Sequence, residues 1–270
     1  TYYWLPGIKR NSSNPYEQTG FDIPCPSGQF RSDEGSSCEA APVGQHVPLW
    51  GSDSTTECLT GTWQNQTGQS SCIDASAGYY VDVNGSSSQT PCVTGTWQNQ
   101  TGQDGCMNAS VGHYVDTNGS TAQSECLVGT WNNMTGQVAC TNASAGHYVD
   151  TNGSTTQTPC DAGTYNPNSS SNSSTDCLDT PAGSYSGTGA SSPTQCSPGT
   201  WQNQTGQSSC IVANPGHYAS GYGNTNETQC ALGTWTDQSG QSSCTPASPG
   251  YYVDTNGSTT VSYTHLRAHE

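Results

Sequence analysis

Little in this chain could build a conventional globular core. Its 270 residues include only two Met and two Phe, and the hydrophobic share is 30%. With a mean hydropathy of -0.69, one large apolar interior is excluded. No apolar run approaches the ~20 residues that a membrane-crossing helix needs. No segment carries a 3.6-residue periodicity long enough for a helix. Basic residues are almost missing: four Lys and Arg stand against twenty Asp and Glu, for a net charge of -16. That balance excludes nucleic acid as a partner, because nothing could neutralise its phosphates. It disfavours anionic membrane surfaces for the same reason. A signal peptide is not visible at Thr1, so the chain reads as a mature product or a fragment.

What is present is strongly ordered along the chain. Seven Trp, fourteen Tyr and fourteen Cys fall at fixed places, unlike the composition of a disordered polypeptide. Cys58 to Cys72 reads CLTGTWQNQTGQSSC; GTWQNQTGQSSC returns at Gly199–Cys210 and GTWQNQTGQ at Gly95–Gln103. A strict period of about 34 residues marks one small unit repeated in tandem. The even cysteine count in a Gly-, Ser- and Thr-rich chain points to an oxidising compartment and a disulfide framework, hence an extracellular or cell-surface location. Paired cysteines and stacked rings are expected to take the place of a core.

The cysteines are Cys25, Cys38, Cys58, Cys72, Cys92, Cys106, Cys126, Cys140, Cys160, Cys177, Cys196, Cys210, Cys230 and Cys244, with gaps of about 14 and about 20 alternating. Two pairings remain open from sequence. One joins Cys25 to Cys38, Cys58 to Cys72 and so on, using all fourteen; the other shifts by one and strands Cys25. The first is favoured on that ground. Each repeat has two halves, CxxGTWxNxTGQxxC and a segment with Gly six residues after its leading Cys (Gly44, Gly78, Gly112, Gly146, Gly183, Gly216, Gly250). An aromatic usually follows two residues after the key Gly. One series is Trp63, Trp97, Trp131, Tyr165, Trp201 and Trp235; the other is Tyr80, Tyr114, Tyr148, Tyr185, Tyr218 and Tyr252. The halves look like copies of one motif, with Ala75 where a cysteine would stand.

The expected organisation is a cap or linker over 1–24, a divergent repeat 1 over 25–57 with Phe30 in place of Trp, and repeats 2, 3 and 4 over 58–91, 92–125 and 126–159. Repeat 5 (160–195) carries three extra residues in an Asn/Ser run. Repeat 6 covers 196–229 and repeat 7, truncated, 230–260. Residues 261–270 (VSYTHLRAHE) break the pattern where a cysteine is due at 264, and resemble the translation of a sequencing adapter. YVDTNGSTTQT combines two β-favouring runs around Asn-Gly, a hairpin signal. The fold class that follows is small disulfide-rich β: an elongated tandem-repeat rod of short hairpins with no large core.

CxxGTW followed by a cysteine some way on resembles the cysteine-rich modules of tumour-necrosis-factor-receptor-like and ephrin-receptor-like extracellular repeats. The resemblance runs from Cys25 to Thr260 and implies a ladder-like extracellular architecture. The chain departs from those families in having a single bridge in each repeat and no CxxC step.

Asn-x-Ser/Thr acceptors are the most prominent chemical feature: Asn11, Asn65, Asn84, Asn99, Asn108, Asn118, Asn133, Asn142, Asn152, Asn168, Asn172, Asn203, Asn226 and Asn256. Many recur at fixed positions, NQT after the Trp and NGS in the hairpin turn, both expected to be exposed as glycosylation requires. DTNGS has too few carboxylates for a calcium loop. His113, His147 and His217 share their position with Tyr79 and Tyr251, which argues against a required ligand or base. No nucleophile set, paired-carboxylate cleft or CxxC knuckle is discernible, so no enzyme activity and no cofactor beyond attached N-linked glycans is expected. The functional expectation is a secreted structural glycoprotein acting as a stalk, adhesin or filament subunit, with self-association or an extracellular protein as partner. A ligand-binding, receptor-like ectodomain is the alternative.

Overall fold

A computed structural model describes residues 23–33 and 36–263. Most of the cap expected over 1–24, and residues 264–270, lie outside that range. The contacts divide the chain into two compact units. One holds the chain up to Ser124 together with Met134–Ala139, the other Glu125–Asn133 together with the chain from Cys140 onward. Both units are made from one element, a two-stranded antiparallel hairpin whose strands are two residues long, and among the described residues fourteen such hairpins follow one another. Among the described residues there is no α-helix, only a single 3-10 turn at Ser174–Asp176.

The hairpin begins in the GTW motif. The Thr62 N–H donates to the Leu59 carbonyl at 2.9 Å, closing a turn whose third residue, Gly61, has φ +81°. Only a residue without a Cβ adopts that conformation without strain. Thr62–Trp63 then pairs with Ile73–Asp74, and Cys58–Cys72 closes the loop. The next hairpin repeats the plan without a bridge: Tyr79–Tyr80 pairs with Thr90–Pro91. The structural unit is thus the single hairpin, and two of them, one bridged and one unbridged, make up each chemical repeat.

The expected Asn-Gly hairpin turn is present in altered form. In the second hairpin Asn84 and Gly85 sit inside a long loop, 81–89, rather than forming a two-residue connection between the strands. The loop is that long because its middle is used to bind an earlier hairpin.

Successive hairpins are joined by their backbones. In the first unit the Gly61 N–H donates to the Val81 carbonyl at 2.7 Å, the Gln64 N–H to Ser86 at 3.1 Å, and the Gly85 N–H reaches back to Cys58 at 2.7 Å. In the second unit Gly199 donates to Ala219, Gln202 to Asn224 and Gly223 to Cys196 in the same pattern. A short strand pair on its own is marginal in water; here the hairpins are bonded to their neighbours as well.

Two buried columns stand in for the missing core. In one, the leading cysteines alternate with small residues: Cys58, Ala75, Cys92 and Ala109 in the first unit and Cys126, Ala143, Cys160, Thr180, Cys196 and Ala213 in the second are all fully buried. In the other, Val81 and Val115 alternate with Gln64 and Gln98. The buried amides are satisfied locally. Gln64 Nε2 donates to the Ser71 carbonyl at 3.0 Å and its Oε1 accepts the Gln66 N–H at 3.1 Å.

The expected stacking of rings is not found. Among the described residues the one aromatic pair in contact is Tyr251 with Tyr263, edge-on at 5.4 Å. Stacking is carried instead by main-chain hydrogen bonds and by the two buried columns. Tyr263 also belongs to the last hairpin, in which Ser262–Tyr263 pairs with Tyr251–Tyr252. Two of the residues read as adapter therefore complete a strand pair.

The insertion in repeat 5 is absorbed without disturbing this plan. Its bridge, Cys160–Cys177, spans 17 residues where Cys126–Cys140 spans 14. The extra chain folds as the 3-10 turn, capped reciprocally by Ser173 and Asp176.

Candidate functional site

Repetition gives this chain a surface with the same groups at the same hairpin positions, rather than a single cleft. The open depression over 115–124, about 370 Å³, is lined by the DTNGST loop and holds one carboxylate, Asp116.

Thirteen of the fourteen acceptor asparagines lie on described residues, and every one is exposed; Asn11 lies outside them. The two main series differ in how the side chain is held. In three of the four NGS loops the carboxamide is pinned. Asn84 Oδ1 accepts the Thr60 N–H at 2.9 Å, Asn118 Oδ1 the Thr94 N–H at 2.9 Å, and Asn152 Oδ1 the Val128 N–H at 3.0 Å. Each pin ties a loop to the turn of a preceding hairpin, always at the same separation along the chain. The NQT asparagines Asn65, Asn99 and Asn203, and Asn133 in the related NMT, stand exposed at the start of their loops.

The bridges join Cys25 to Cys38, Cys58 to Cys72, Cys92 to Cys106, Cys126 to Cys140, Cys160 to Cys177, Cys196 to Cys210 and Cys230 to Cys244. This is the first of the two pairings. In each, the leading cysteine is buried and the trailing one half-buried. The trailing residue of each bridge is therefore the one nearer solvent.

The repeat aromatics are half-buried, except Tyr252, which is exposed. The indole Nε1 atoms of Trp63, Trp97, Trp131 and Trp201 are shielded from solvent with no hydrogen-bond partner. Unpaired buried donors cost stability, so these rings are held in place by shape and not by polar contacts. His113, His147 and His217 occupy the first position of a strand, as Tyr79 does. Each ring Nδ1 lies 3.1–3.3 Å from a backbone carbonyl two residues earlier. These histidines belong to their own hairpins.

One carboxyl is tuned by its surroundings. Burial works against the charged form of Glu227, but the backbone N–H and side-chain amide of Asn214 and the nearby His217 ring outweigh it. Together they hold its carboxyl below the ordinary value. The Trp201 indole adds a smaller effect, although its N–H falls short of hydrogen-bond geometry. In other repeats glutamine does this work: Gln89, Gln123 and Gln157 accept the N–H of Ser76, Ser110 and Ser144 at 2.7–2.8 Å.

One residue that sequence reasoning passed over is His46. It stands in the strand position that Tyr80 holds in the next repeat, and its Nδ1 lies 3.2 Å from Cys72 Sγ. The signal was a histidine two residues after the key Gly44, where the later repeats carry an aromatic ring.

No protein-family model matches this chain, and no curated protein matches it. What is established is therefore the architecture: a disulfide-rich tandem array of hairpins that fits an extracellular role.

Proposed function

We propose that this chain is part of a secreted or cell-surface structural glycoprotein, a disulfide-stapled and N-glycosylated repeat array that serves as a stalk, adhesin or filament subunit. The observation that carries this reading is the exposure of all thirteen described acceptor asparagines, most of them at fixed positions of a repeat closed by its own disulfide. A coat of glycans at that density would shield a protein with so little core. Near-identical units suit a scaffold, which needs one part many times over.

A second reading, a ligand-binding ectodomain of the cysteine-rich receptor-like kind, draws on one feature. The residue after the leading cysteine is often apolar and open to solvent: Leu59 and Val93 in the first unit are 65% and 62% exposed, and Leu127 in the second is 66% exposed. Isolated exposed apolar residues are ordinary, but these recur at one position of the repeat.

Glycopeptide mass spectrometry of native material, before and after enzymatic release of N-glycans, separates the two. Filled NQT and NGS sites in most repeats support the structural glycoprotein. Empty sites leave the apolar positions accessible, overturn the glycoprotein reading and favour the ectodomain.

A further inference from the structure

One bridge of the seven has an imidazole against it. His46 Nδ1 lies 3.2 Å from Cys72 Sγ, and a ring nitrogen of His46 and the sulfurs of Cys58 and Cys72 all fall within 4.8 Å of one another. At the corresponding strand position the later repeats carry tyrosine, such as Tyr80 and Tyr148. Cys58 is fully buried, while Cys72 and His46 are half-buried. An attacking group can thus reach Cys72 in the presence of a proton carrier, with Cys58 as the sheltered leaving sulfur.

We infer that Cys58–Cys72 is a thiol-exchange site whose substrates are external thiols, with His46 as the group that moves the proton. Exchange needs a thiolate as nucleophile and proceeds through a mixed disulfide. His46 takes the proton of the incoming thiol as it nears Cys72. The thiolate attacks Cys72 Sγ, forming a new S–S bond as the Cys58–Cys72 bond breaks. The electron pair of the broken bond leaves on Cys58 Sγ, which receives the proton from the imidazolium. One thiol is consumed; the products are a mixed disulfide on Cys72 and a thiol on Cys58, with no net oxidation. A second thiol attacking the mixed disulfide would release a small-molecule disulfide and leave both cysteines reduced.

The bridge with the nearest comparable environment lacks this chemistry. Arg31 Nη2 lies 3.8 Å from Cys38 Sγ, but a guanidinium stays protonated in proteins and cannot act as the base.

The test treats the folded full chain with excess glutathione in the absence of denaturant, quenches in acid at intervals, alkylates free thiols and maps adducts by mass spectrometry. The expected result is a glutathione adduct on Cys72 at least about tenfold faster than on any other trailing cysteine, in keeping with general acid–base assistance. His46→Tyr, which installs the residue of the later repeats, should bring Cys72 to the common rate. Because the ranking of the seven bridges is read on the unmodified chain, the test does not depend on that variant folding. Equal rates for all seven, a first adduct on Cys38, or an unchanged rate in a folded His46→Tyr protein would each overturn the inference.

Discussion

Replacing Gly61 by alanine should be among the most damaging one-carbon changes this molecule can receive, and Gly233 provides the control that shows why. Both residues have φ near +80°. Both N–H groups donate to the carbonyl of a valine in the following hairpin, Val81 at 2.7 Å and Val253 at 2.9 Å. Both carbonyls accept from an alanine N–H, that of Ala75 and of Ala247 respectively. They differ in their surroundings, Gly61 being buried and Gly233 exposed. A Cβ on Gly61 would lie 2.3 Å from the Gly102 carbonyl oxygen and 2.9 Å from its carbon, whereas nothing lies within 4 Å of one on Gly233. The left-handed conformation costs an alanine about 1–2 kcal/mol at either place. At Gly61 the backbone must also retreat, and losing the buried bond to Val81 adds about 1–3 kcal/mol. The difference, about 2 kcal/mol, amounts to roughly a 30-fold change in local opening. Amide hydrogen exchange is the suitable assay, since a tandem array does not unfold as one two-state body. The amides of 81–86 should lose about 30-fold more protection in Gly61→Ala than those of 253–258 lose in Gly233→Ala. Equal losses would show that backbone strain alone, and not the packing of turn on loop, makes these glycines necessary. Gly105 keeps an ordinary φ and has nothing within 4 Å, so Gly105→Ala should leave protection unchanged.

Three further outcomes follow from the same geometry. Ser170 is the one described non-glycine residue with positive φ, at 59°, in a loop position that glycine holds in other hairpins; Ser170→Gly should stabilise its hairpin by about 1 kcal/mol, and a loss measured by thermal unfolding would contradict the strain argument. Asn84→Ala removes the acceptor for the Thr60 N–H and should cost about 1 kcal/mol, while Asn65→Ala stays within about 0.5 kcal/mol; equal protection of the Thr60 amide in both variants would dismiss the pin. Because the carboxyl of Glu227 is held below its ordinary value near 4.5, its contribution is full above that value and fades as pH falls through the lower folded one; Glu227→Gln should keep the Asn214 amide protected through that acid range, and an unchanged pH profile would remove the role given to the charge.

Much of this architecture was legible in the sequence because it rests on local rules. Alternating cysteine gaps imply short closed loops, short β-favouring runs imply hairpins, and a Ser/Asn insertion between Cys160 and Cys177 implies a tolerant loop. The suspicion that Ala75 replaces a cysteine corresponds to a buried column in which Cys and Ala alternate from one hairpin to the next. What stayed hidden depends on contacts between distant residues. Nothing in the sequence marked Gln64 and Gln98, yet they are buried because each closes its own loop. The NGS asparagines read as open acceptors, while their carboxamides brace the turns of earlier hairpins. Stacked rings were inferred from aromatic spacing, but spacing along a chain does not say which way a half-buried ring faces. His46 carried no weight until Cys72, far along the chain, was found against it.

The turn of a hairpin takes two loops at once: the Gly61 N–H bonds Val81 in the next loop, while the glycine itself lies against Gly102 in the loop after it, as Gly78 lies against Gly119. In the regular repeats, the glycine of a Trp-type turn therefore faces a TGQ loop while its leading cysteine bonds an NGS loop, and in Tyr-type turns the two loops change places. Inserting or deleting a single hairpin would mismatch each pair at the joint and set two bridged hairpins, or two unbridged ones, side by side. A step of two hairpins leaves all the contacts in register. The gene for such an array can lengthen or shorten its product in increments of one hairpin pair with its disulfide, and duplication or unequal crossing-over at any other interval would yield a chain with a faulted joint.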